Sequence, residues 1–319
     1  MLSNSTLIKK LNDLLNEVDS NIKIIYFKDC RSRIYEKNNV ILQISNIRFL
    51  KKDLRNRAID SLYVFNDFRP DAKAAIHFFK KYNIKGKIII LDEGMPLYCD
   101  IDWSPKYSMY KIIIFKLIYG LWWKESRRIG ETKNIDKYIV FHPDKVNKNI
   151  PTSAIEKIDI NIYNGLNILN TLPSKKIDIF LLLDNNSFEY KSEIDSIIQY
   201  CLRKKIKTSI KLHPIIEQLN INWKDYFFYD NIEYLETVVP IELYFQKNKQ
   251  NKYFVLSIGT FSTPLCSSKL FNPEVSTAIL FKPELWSDEE INLSHDLTNK
   301  FDSNILYTLS DFYDFYEKN

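Results

Sequence analysis

The sequence predicts an α/β protein built of two Rossmann-like domains facing a cleft. Three observations predict it. Short apolar runs of strand length recur at 61–65, 87–91, 177–183 and 253–257, with a further strand candidate at 208–212, too short for helices and bounded by polar residues. Helical stretches alternate with them in both halves of the chain, the pattern of βαβ units and parallel sheets. Two of the runs end on residues that carry chemistry, Asp92-Glu93-Gly94 and His213-Pro214, about 120 residues apart. Ligands of open α/β sheets bind at the carboxyl ends of strands, so a carboxylate and a histidine there offer a general base and a general acid.

The elements follow in order. Leu7, Ile8, Leu11, Leu14, Leu15 and Val18 recur at helical spacing and predict a helix over 5–18, with a strand over 21–27. A strand at 61–65 leads through Pro70 into a helix reaching about Tyr82. The strand at 87–91 then completes a βαβ unit. The apolar stretch 112–123 is interrupted by Lys116 and flanked by Lys111, Lys124, Arg127 and Arg128. It reads as a helix packed in the core, with an interfacial anchor as the alternative. A further strand at 138–141 ends on His142-Pro143, a second His-Pro that is placed away from the cleft.

A polar segment around Pro173 marks the domain boundary, within 150–176, giving domains 1–172 and 173–319. In the second half, the strand 177–183 runs into Asp184-Asn-Asn-Ser. A helix reaches about Lys205 before the strand 208–212, and 232–235 precedes a helix starting near Pro240. The strand 253–257 ends in Gly259-Thr-Phe-Ser262-Thr263. Strands near 277–281 and 304–307 complete the half.

Composition narrows the function. With 319 residues, 45% hydrophobic and 27% charged, the chain has the makeup of a globular protein large enough for two domains. Only 6 glycines are present, and neither GxGxxG nor a Walker loop can be written, which removes the common NAD and ATP readings. The net charge of +5 fits an anionic small substrate or membrane surface better than duplex DNA, so no nucleic-acid partner is expected. Cys30, Cys99, Cys201 and Cys266 show no CxxC and no zinc spacing, which predicts free thiols in a reducing, cytoplasmic setting. No signal-peptide core and no stretch of 18 apolar residues is visible. The expected location is cytoplasmic, with peripheral contact at the inner membrane face left open, as is the oligomeric state, a dimer included.

Each motif has a plain structural reading. Asp92-Glu93-Gly94 can be a turn and His213-Pro214 a structural strand end. Glu242 can be a carboxylate favoured by a helix dipole, and Ser262-Thr263 an ordinary cap. Taken together and in order, Asp92-Glu93-Gly94, His213-Pro214, Pro240-Ile-Glu242 and Gly259-Thr-Phe-Ser262-Thr263 resemble the motifs of bacterial sialyltransferases of GT-B fold. Those are the capsule and lipooligosaccharide enzymes of glycosyltransferase family 52 and the bacterial polysialyltransferases.

The resemblance implies inverting, metal-independent transfer of sialic acid from CMP-sialic acid to a glycan hydroxyl, with no cofactor. It implies Asp92 as base, with Glu93 shaping its pKa and Gly94 the turn, and His213-Pro214 at the departing phosphate. Glu242 would take the ribose hydroxyls, and Gly259, Ser262 and Thr263 the phosphate. A CDP-polyol phosphotransferase or other capsule glycosyltransferase is the alternative enzyme, and a non-catalytic nucleotide-binding protein the alternative class.

Overall fold

The strand–helix alternation is realised as two all-parallel sheets, each the centre of its own compact unit. The computed structural model describes residues 37–319 apart from 93, 103–105, 167, 173–175, 214–215, 217–221, 238 and 319. The expected helix at 5–18, the strand at 21–27, Cys30, Glu93 and Pro214 lie outside the described residues.

The N-terminal unit falls within Ile25–Ile158. Its four strands are β1 (Ser61–Val64), β2 (Lys87–Leu91), β3 (Lys137–Val140) and β4 (Ile155–Lys157), in that spatial order. The β2 run is apolar because both faces are covered: Ile88 and Ile90 are fully buried and Ile89 nearly so. The helix Pro70–Tyr82 starts on Pro at its first position and carries Asp71 in its first turn, both favourable there. It buries Ala74, Ala75, Ile76, Phe78 and Phe79, against Ile47, Leu50 and Leu54 of the helix Lys37–Arg55. Gly86 is required by this packing, since a Cβ there would lie 2.4 Å from the Phe79 ring.

The apolar stretch 112–123 departs from expectation. The helix spans Met109–Tyr119 and ends at Gly120, whose φ of 120° stops it. Phe115, Tyr119 and Trp123 are buried, but Met109, Ile113, Leu117 and Leu121 face outward. It is half-packed rather than enclosed, because only one of its faces meets the helices of the unit.

The C-terminal unit, Asp159–Asn319, holds β5 (Ile179–Leu183), β6 (Thr208–Leu212), β7 (Glu233–Leu235), β8 (Phe254–Ile258), β9 (Ser276–Leu280) and β10 (Asn304–Leu306). The spatial order is β7-β6-β5-β8-β9-β10, all parallel. This is the doubly wound Rossmann order, and chain direction along the sheet reverses between β5 and β8. All five residues of β5 and of β8 are buried, as central strands require. The helix Lys191–Lys204 covers one face with Ile194, Ile197, Ile198 and Cys201. The helix Asp288–Phe301 opens on a capping box between Ser287 and Glu290. Cys99, Cys201 and Cys266 are buried free thiols. No helix among the described residues is long and apolar enough to cross a membrane.

Candidate functional site

In a doubly wound sheet the ligand crevice lies where the strand order reverses, outside the carboxyl ends. Here that point is flanked by Asp184, following β5, and Gly259-Thr260, following β8. Asp184 Oδ1 accepts the Asn186 N–H at 2.8 Å, and its own N–H donates to Ser187 Oγ at 2.9 Å, fixing the turn after β5. Asp184 Oδ2 accepts the Thr260 hydroxyl at 2.8 Å, and the buried Ser187 hydroxyl donates to the Ile258 carbonyl at 3.3 Å. One carboxylate thus ties the ends of both strands together. Gly259 sits at φ 88°, with any Cβ only 3.2 Å from the Tyr190 ring, so the backbone reverses here only because no side chain intervenes.

Past this turn Ser262 precedes the helix Thr263–Phe271. Ser262 makes no side-chain cap to the helix, and its Oγ is buried without a hydrogen-bond partner. A buried hydroxyl in that state carries a desolvation cost. It sits at a helix N-terminus, where N–H groups and the dipole favour an anion. Glu242 lies in the first turn of the neighbouring helix Ile241–Asn248, and its Oε1 accepts the hydroxyl of Ser267 at 2.9 Å. Ser267 is five positions beyond Ser262, about 7 Å along the helix axis. A carboxylate is thereby tied to the helix whose N-terminus holds Ser262.

His213 follows β6, which pairs with β5 through Leu183 and Leu212, and its N–H extends the ladder to the Leu183 carbonyl at 2.7 Å. Its ring is exposed. The surrounding protein lowers its pKa below the usual histidine value, the charge of Asp184 opposes this, and Lys211 adds to it. Lys211 is itself buried, donating to the Glu236 carbonyl.

In the N-terminal unit Asp92 follows β2. Its Oδ1 accepts the Gly94 N–H at 2.7 Å; its Oδ2 accepts the Phe141 N–H at 2.9 Å and the Tyr98 hydroxyl. Gly94, at φ 88° and ψ −129°, makes the turn into the short helix Met95–Tyr98. Burial raises the Asp92 pKa above the usual carboxylate value, and the three hydrogen bonds only partly counter it.

His142 does not lie away from this point, as the sequence placed it. β3 pairs directly with β2, Leu91 opposite Ile139, so Phe141 and His142 emerge beside Asp92. The His142 N–H donates to the Tyr98 hydroxyl at 3.3 Å, and the two rings meet edge to face.

Each unit therefore gathers its own cluster: Asp92, Gly94, Tyr98 and His142 in one; Asp184, His213, Glu242, Gly259, Ser262 and Thr263 in the other. Sequence reasoning passed over Asp184, Tyr98 and Ser267. Asp184 carried the same signal as Asp92, a carboxylate directly after a wholly apolar strand.

No family model and no curated protein matches the chain. Some solved structures resemble the chain at low identity. A UDP-N-acetylglucosamine 2-epimerase from Rickettsia bellii has a TM-score of 0.34 at 13% identity over 76% of this chain, which spans 62% of that protein's length. UDP-GlcNAc 2-epimerase from Neisseria meningitidis, bound to UDP-GlcNAc, has a TM-score of 0.47 at 14% identity, covering 96% of this chain and 83% of its own. MurG from Acinetobacter baumannii has a TM-score of 0.39 at 10% identity, covering 96% and 78%.

Proposed function

We propose that the protein is an inverting glycosyltransferase of the GT-B type. In this reading it moves sialic acid from CMP-sialic acid to a sugar hydroxyl of a bacterial surface glycan, capsule or lipooligosaccharide. The observation that carries the nucleotide half is the unpartnered Ser262 hydroxyl at a helix N-terminus beside the β5/β8 reversal, with Glu242 fixed by Ser267. The motif order Asp92-Glu93-Gly94, His213-Pro214, Glu242, Ser262-Thr263 supplies the sialyl specificity.

Each group then has a task. The phosphate of CMP settles on Ser262, Thr263 and the backbone N–H groups around them, and Glu242 accepts hydrogen bonds from the ribose hydroxyls. The acceptor hydroxyl attacks the anomeric carbon as the C–O bond to phosphate breaks. CMP departs with the bonding pair, and the configuration inverts. Asp92 takes the hydroxyl proton: three donors occupy its oxygens, which leaves Oδ1 a lone pair, and its raised pKa improves it as a base. His213 donates to the departing phosphate. Its lowered pKa makes the unliganded imidazole neutral near pH 7, so it acts as an N–H donor until a bound phosphate draws the pKa up. A phosphate leaving group of this kind needs no metal in the scheme.

The test is product detection with CMP-sialic acid, CDP-glycerol and UDP-sugars in parallel, preceded by calorimetry with CMP. Transfer from CMP-sialic acid alone supports the reading. Transfer from CDP-glycerol or a UDP-sugar replaces it with another capsule-type transferase, and CMP binding without any product replaces it with a nucleotide-binding protein.

A further inference from the structure

We infer that the helix Met109–Tyr119 and the turn after it form a membrane-docking face that lies flat on an anionic lipid surface. The observation is a line of apolar side chains that nothing among the described residues covers. Met109, Ile113 and Leu117 recur every four residues, one above the next on the helix, and Leu121 continues the line past Gly120. Their exposures are 74%, 50%, 79% and 88%, with Tyr110 exposed beside them. The opposite side of the same helix is fastened to the unit: Phe115 and Tyr119 are buried and pack around Trp123. The exposed line is thus a contiguous patch on a rigid support, the kind of surface that marks an interaction site.

Charge identifies the occupant. Residues 106–124 contain Lys106, Lys111, Lys116 and Lys124 and no Asp or Glu, and Lys106, Lys116 and Lys124 are exposed. Arg127 and Arg128, just beyond, are engaged by Asp100 and Asp102, so the lysines carry the positive charge of the face. A second copy of this chain seated on the patch would bring lysine against lysine. An anionic bilayer offers hydrocarbon to Met109, Ile113, Leu117 and Leu121 and phosphate headgroups to the lysines. With 11 residues the helix is about 16 Å long, about half a bilayer's hydrocarbon thickness, so it rests in the interface plane.

The experiment is co-sedimentation of the full chain with vesicles rich in phosphatidylglycerol and with pure phosphatidylcholine vesicles. It is run at low salt and at about 1 M salt, where screening acts beyond roughly 3 Å. The expected result is binding to the anionic vesicles that weakens at high salt. Leu117→Glu combined with Leu121→Glu should cut it by about ten-fold or more, and Lys116→Gln with Lys124→Gln by a similar factor. All these positions are exposed, and an unchanged Tm verifies the fold of each variant. No binding by the parent chain, equal binding by either double variant, or equal binding to both vesicle types overturns the inference. So does a parent chain that is dimeric without vesicles, becomes monomeric in the leucine variant and ignores lipid, since the face is then an interface between copies.

Discussion

The Ser267 hydroxyl donates to Glu242 Oε1 at 2.9 Å, coupling the helix Ile241–Asn248 to the helix whose N-terminus holds the unpartnered Ser262. Glu242→Ala should weaken CMP binding by about ten-fold or more, the cost of charged hydrogen bonds worth about 1.5–3 kcal/mol. Ser267→Ala should have a smaller effect, since it removes an anchor and leaves the carboxylate in place. Calorimetry with CMP decides it: unchanged affinity in Glu242→Ala removes that residue from the site.

Asp92→Asn should lower turnover by about 10²–10⁴-fold with donor binding retained. It should also lower the Tm, because an amide keeps one acceptor oxygen, so either the Gly94 N–H or the Phe141 N–H and Tyr98 hydroxyl lose theirs, a loss of about 1–3 kcal/mol. Burial raises the folded pKa above 3.8. The rate should therefore climb with pH through a value above 3.8, and the variant should lack that limb. Stability has the opposite sign. The folded chain binds this proton more tightly than the unfolded one, so the Asp92 contribution is fully present below 3.8 and is lost as pH rises through the raised value. Glu93→Gln should be milder than Asp92→Asn in the same pH–rate series.

His213→Ala should slow transfer by about 10²-fold or more, and a donor with a more acidic leaving group should recover part of the rate. His142→Ala removes the edge contact to Tyr98, and its rate should fall by less than about ten-fold. Single-turnover rates of both variants compare them directly. If His142 proves essential and His213 dispensable, the motif alignment behind the sialyltransferase reading is wrong.

Gly259→Ala should destabilise the protein by about 1–3 kcal/mol, the range for a non-glycine residue forced to positive φ, aggravated by the Tyr190 ring at 3.2 Å. Thermal unfolding measures it. CMP affinity should fall as well, because the turn carries the chain toward Ser262.

The strands were legible because buried parallel strands are written as short, mostly apolar runs; β2, β5 and β8 show them plainly, and β6 carries Thr208, Ser209 and Lys211 among its apolar residues. Asp92 and His213 were legible because they stand directly after such runs. Asp184 stands after such a run too and was passed over; its tie from β5 to β8 depends on strand order, which no local pattern encodes. The Asp92–Phe141 contact was hidden for the same reason, which also kept His142 apart from Asp92 in the sequence reading. The helix at 109–119 is apolar nearly all round, so periodicity could not say which face would be covered.

The pairing of β5 with β8 brings Ile179 against Phe254, about 75 positions later in the chain. As the polypeptide leaves the ribosome, β5, β6 and β7 can associate through nearer neighbours while β8 is still being made. Closing so long a loop is the slow kind of step in folding. The junction of Asp184 with Thr260 does not form until that step is complete. A nucleotide seated there would recognise only the finished chain, and at a concentration 100 times its Kd would hold it closed by about 2.7 kcal/mol. Saturating CMP should therefore shift the urea midpoint of the C-terminal unit upward and slow its opening.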